Sequence, residues 1–165
     1  MRAVTGDATD PDDALYARCV DDLVTAVDLA IGPWVERSVR RVADAWRPGA
    51  GDGLTEAAAT AGEEARRDVV PRLRALLALD VDQQPTGPLA VVRTAVGHPT
   101  AVLRSVGVPP VSRDEFAVAA FPDDAYDLVP GSFRDLDESV HEPGIRWGAA
   151  KAHRVLARRR DEGRR

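Results

Sequence analysis

The residues best equipped for chemistry lie between Asp123 and His141. Glu138 and His141 stand three residues apart, which puts a carboxylate and an imidazole on one face of a helix. Pairs of Glu-x-x-His motifs build di-metal sites in helical bundles. Only one copy exists here, since neither His98 nor His153 follows a glutamate at that spacing, and Pro143 is expected to stop the helix just after it. Asp123, Asp124 and Asp127 could hold Mg²⁺ through waters. Following Pro122, they read more simply as first-turn acids that favour a helical N-terminus. A metal-dependent enzyme or ligand binder would use these five side chains. The favoured reading assigns no metal, no catalytic residue and no cofactor.

Other reaction classes fail on specific residues. Gly49, Gly51 and Gly53 form a glycine-rich stretch before a helix, but a P-loop needs a following Gly-Lys-Ser/Thr. The only lysine is Lys151. The Asp-x-Asp segments beginning at Asp10 and Asp80 have Leu15 and Pro85 where a calcium loop turns on glycine. No G-x-S-x-G elbow surrounds any of the five serines. Cys19 falls in an apolar stripe and reads as a core thiol. As the lone cysteine it can form no internal disulfide, which suits a reducing compartment.

Charge is segregated along the chain. Residues 113–142 carry nine acids against two arginines, and residues 143–165 carry eight bases against two acids. Adjacent blocks of opposite sign are expected to neutralise each other within the fold. The cluster Arg158, Arg159 and Arg160 could instead neutralise phosphates. Against nucleic acid stand the net charge of −5 and the lack of interleaved aromatics.

These residues need a frame, and the pattern is helical. Asp10 caps a helix with Pro11 at its first position and Asp12 and Asp13 in its first turn. Leu15, Cys19, Leu23, Val27 and Ile31 recur every four residues. Gly32-Pro33 interrupts that helix, by a kink or by a fresh start carrying Trp34, Val35, Val39, Val42 and Trp46. An alanine-rich helix is expected from about Leu54 to Leu79, with Ala58, Ala61, Ala65, Val69, Leu73, Leu76 and Leu77 inward. A third helical region follows Pro88 and breaks near His98-Pro99. Ser112 and Glu115 match a capping box, opening a short helix through Phe121. Another single turn is closed by Pro143-Gly144. The last helix runs from Ile145 to about Arg160, with Ala149, Ala152, Val155 and Leu156 buried and Trp147 on a different face.

The expected architecture is therefore all-α. It is an antiparallel bundle of three to four long helices with an irregular, Pro- and aromatic-rich cover (about 108–143) and a C-terminal helix. Residues 1–10 are expected to be a disordered tail, 11–160 one helical domain and 161–165 a basic tail. The opening MRAVTGDATDPDD has no apolar stretch, and no run approaches the ~20 residues of a membrane span. A cytoplasmic protein is expected.

The block GVPPVSRDEFAVAAFPDDAYDLVPGSFRDLDESVHEPGIRWGAAKAH (Gly107 to His153) resembles conserved proteins of high-GC Gram-positive bacteria to which no activity is attached. The resemblance implies an intracellular bacterial protein and transfers no site. Function then rests on the rings. Five of eight aromatics lie between Phe116 and Trp147, and aromatics dominate interface hot spots. The expectation is a non-enzymatic interaction or regulatory module, binding a protein partner or a second copy through segment 116–147. Its anchors would be Phe121, Tyr126, Phe133 and Trp147.

Overall fold

The computed structural model describes residues 10–49 and 53–165. Most of the expected N-terminal tail lies outside the described residues. Helix α1 (Pro11–Trp46) starts as anticipated, with the Asp10 carboxylate accepting from the Asp12 N–H at 3.0 Å. It then runs unbroken through Gly32-Pro33, where an interruption was expected. Proline forfeits one helical hydrogen bond, but Ile31, Trp34 and Val35 on either side are buried and hold the axis together. Gly32 marks a helix crossing. A Cβ added to Gly62 would sit 2.8 Å from the Gly32 carbonyl oxygen, so only glycine lets the two backbones approach this closely. Leu15 and Trp46, expected on inner stripes, are exposed at the two ends of α1.

Helix α2 (Thr55–Ala78) packs antiparallel to α1 and buries all seven residues assigned to its inner face. Arg66 reaches back to Asp28 at 2.6 Å across the same interface. The third helical region is α3 (Pro88–Arg93), a 3₁₀ turn (Thr94–Val96) and α4 (Gly97–Ser105). Its break precedes His98-Pro99 instead of falling on it. Pro99 is the third residue of α4, where a backbone N–H has no intrahelical acceptor to lose.

The cover begins where Gly107, at φ +79°, ends α4. Helix α5 (Glu115–Ala120) is capped by Asp114, whose carboxylate accepts from the Ala117 N–H at 2.7 Å. Ser112 takes no part in that cap, and α5 buries none of its residues. The following segment folds back over the bundle. The Tyr126 hydroxyl donates to the Val108 carbonyl at 2.6 Å, and the Val111 N–H donates to the Ala125 carbonyl at 3.0 Å. Arg93 clips the far end, donating to the carbonyls of Pro130 and Gly131.

Helix α6 (Phe133–Leu136) leads directly into α7 (Glu138–Glu162). Asp137 caps α7 by accepting from the Ser139 N–H at 2.9 Å, and those hydrogen bonds hold its carboxyl below the ordinary carboxylate range. Pro143-Gly144, expected to close a turn, therefore lies inside α7. Gly144 is buried there beneath the Phe133 ring. Helix α7 packs antiparallel on α1, anchored by Arg37, which donates to the Leu136 carbonyl at 2.8 Å. The result is an all-α bundle with α1 between α2 and α7, and α3–α4 packed against α2. No described helix is long and apolar enough to cross a membrane.

Candidate functional site

The five residues considered for a metal are not brought together. Asp124 is 2% exposed, and its carboxylate accepts from the Leu128 N–H at 2.8 Å and the Val129 N–H at 2.9 Å. It organises the turn in which Asp127 adopts φ +56°. Glu138 is held by Arg134 at 3.2 Å, and His141 is half-buried one turn further along α7. Among the described residues no group of three or more His, Cys, Asp or Glu could hold a metal ion.

The four expected aromatic anchors are largely turned inward. Tyr126 and Trp147 are core residues and present no ring to a partner. Burial raises the Tyr126 phenol above its usual range. Phe133 packs against the core from the cover, and Phe121 lies under the Arg93 guanidinium, 5.4 Å from ring centre. Within segment 116–147 the exposed ring is instead Phe116, 89% accessible on α5. Beside Phe121 runs a cleft of ≈ 520 Å³ lined by Arg93, Thr100, Arg104 and Asp123. The Thr100 hydroxyl is buried at that wall and has no hydrogen-bond partner.

The basic block is engaged with acids, but apart from a contact between Arg146 and Glu142 at 3.9 Å these are not the acids of the adjacent block. Arg146 meets Asp22 at 3.4 Å, His153 meets Asp12 at 3.1 Å and Arg154 meets Asp13 at 2.8 Å. Arg158 binds Asp80 and Asp82, the latter at 2.8 Å. The antiparallel packing of α7 on α1 explains the choice, because it lays the basic half of α7 along the acidic start of α1. Arg158 holds the Asp80 carboxyl below its ordinary value, and its own guanidinium is raised in return. Arg160 pairs only with its neighbour Asp161 at 3.7 Å, and Arg159 forms no ion pair among the described residues. Between these pairs lies a cleft of ≈ 700 Å³ whose wall includes Leu15, Cys19, Ala149 and Ala157.

The decisive feature is the orientation of α7. Val140, Gly144 and Trp147 are buried and Val155 packs against the core, so the helix turns its Trp147 side inward. Lys151 covers the Trp147 ring at 5.2 Å, and Arg154 covers Tyr16 at 4.9 Å. Of the residues expected to be buried, Val155 turns inward, but the stripe of Ala149, Ala152 and Leu156 faces outward instead. Ile145 is 57% exposed, Leu156 is 64% exposed, and Ala149 and Ala152 between them are exposed as well. At 100° per residue this stripe lies across the helix from Trp147. Helix α7 thus has two apolar faces on opposite sides. No protein-family model matches the chain, and neither a curated protein nor a solved structure does. The outer face was legible as a stripe, and the separation of Trp147 from it was the signal that one of the two faces must be left uncovered.

Proposed function

We propose that this protein is a helical interaction module whose recognition element is the outer face of α7. The observation that carries this reading is the pair of opposed apolar faces on one helix. A surface helix of a monomeric domain needs one apolar face toward the core and a polar face toward water. A second apolar face gains nothing from folding and gains free energy only when another surface covers it. Ile145 and Leu156 bracket Ala149 and Ala152, so bulky side chains flank a shallow centre against which another helix can lie closely. Phe116, on a helix that buries nothing, is a second projecting apolar element within the same functional reading. The lone thiol at Cys19, buried and unable to form an internal disulfide, supports a cytoplasmic setting.

The test places a photoreactive benzoylphenylalanine at Ala152 and irradiates cells expressing the full chain. A covalent product heavier than the chain is expected from position 152 and not from the same probe at Arg74, on α2. Absence of any product from position 152 under conditions that label a known dimer would overturn the reading.

A further inference from the structure

The outer face of α7 carries a pattern that selects its partner. Glu142, Ile145, Ala149, Ala152, Leu156 and Arg159 are spaced by three, four, three, four and three residues. That is the seam of a heptad repeat, with each position one turn from the next. The pattern also reads the same when reversed. About the midpoint between Ala150 and Lys151, Ala149 mirrors Ala152, Ile145 mirrors Leu156, and Glu142 mirrors Arg159.

We infer that two copies of this chain associate through an antiparallel pairing of their α7 outer faces. The proposal rests on the interaction-module reading above and names its partner. A two-fold axis through the midpoint would set each Ile145 against the other copy's Leu156 and each Ala149 against the other's Ala152. The small central pair allows close approach, and the larger residues fill the space on either side. At each end the same operation brings Glu142 beside Arg159. The Glu142 carboxylate is largely exposed, held only at 3.9 Å by Arg146, and Arg159 has no ion-pair partner among the described residues. A parallel arrangement would place each of these charges against itself. Charge therefore selects the antiparallel register, and the apolar stripe supplies the contact area. One helix face of about five turns lies at the low end of stable interface sizes, so association in roughly the micromolar range is expected.

Charge reversal distinguishes this arrangement from any other. In sedimentation velocity across a micromolar concentration series, the wild-type chain should show a reversible dimer. Glu142→Arg alone places two arginine pairs at the ends, and Arg159→Glu alone places two acid pairs there. Each should weaken self-association by at least about tenfold. Mixing the two single variants restores opposite charges at both ends of a heterodimer, and affinity should return to within about threefold of wild type. Circular dichroism establishes that both variants keep their helices, since both side chains are exposed. A dimer indifferent to the single substitutions, or one not restored by mixing, overturns the antiparallel pairing. A strictly monomeric wild type also overturns it. In that case a cross-link from position 152 to a different protein leaves the interaction module standing, whereas no cross-link removes both readings.

Discussion

The ring of Phe133 rests on Gly144, where an added Cβ would come within 2.5 Å of the ring's Cδ2. This contact ties the end of the cover to the second turn of α7 and explains why a Pro-Gly pair sits inside a helix. Gly144→Ala would gain roughly 1 kcal/mol of helix propensity, but the ring must move and the overpacking costs about 1–3 kcal/mol. A net loss of up to about 2 kcal/mol is expected by urea denaturation. Phe133→Leu in the same background should recover part of it, revealing a coupling that independent sites lack.

Asp124 makes the next prediction. It is a buried carboxylate whose hydrogen bonds go to the backbone N–H groups of Leu128 and Val129. Asp124→Ala leaves those donors buried and unpaired at a cost of about 1–3 kcal/mol each before relaxation. Asp124→Asn keeps one acceptor oxygen and should fall between the alanine variant and wild type. Equal stability of all three in chemical denaturation would refute this account of the turn.

Thr100 should behave in the opposite way. Its hydroxyl is buried without a partner, a standing cost that an isosteric apolar side chain removes. Thr100→Val is expected to stabilise the chain by about 1 kcal/mol, raising the midpoint of thermal unfolding by several degrees. A loss of stability would mean that the hydroxyl is hydrogen-bonded in solution.

The Arg158 network predicts a pH dependence. Arg158 depresses the Asp80 carboxyl below its ordinary 3.8. A carboxyl depressed in the folded state stabilises fully above its unfolded value and loses that contribution as pH falls through the folded value. Arg158→Ala should therefore lower thermal stability at pH 7, with the difference from wild type shrinking as the pH falls below 3.8. Both side chains are partly exposed, so the effect at pH 7 should be within about 1 kcal/mol and should diminish in high salt. A difference that is constant from pH 7 to pH 3 would exclude Asp80 as the partner.

Local chemistry carried much of the fold. The cap at Asp10, the inner face of α2 from Ala58 to Leu77, the stop at Gly107 and the all-α class all follow from side-chain type and period within a few turns of chain. Proline position was less decisive than the residues around it. Pro33 and Pro143 read as breaks because each removes a hydrogen bond, yet burial beside them and caps before them outweigh that single loss. Ser112 likewise matched a capping motif, but Asp114 stood closer to the first turn and won the N–H.

What the tertiary structure decided was direction. Periodicity in α7 resolves two apolar faces, one with Trp147 and one with Ile145, Ala149, Ala152 and Leu156. No local rule ranks them, because a helix in isolation is symmetric with respect to which face meets the core. Packing against α1 turned the face bearing the larger ring inward and brought Arg146, His153 and Arg154 to Asp22, Asp12 and Asp13, while Arg158 reaches Asp80 and Asp82 beyond the end of α2. Charge and hydrophobic period are properties of the chain alone. The partner a side chain meets can depend on contacts between residues far apart in sequence, more than a hundred positions for Arg146 and Asp22, and those form only when the helices assemble.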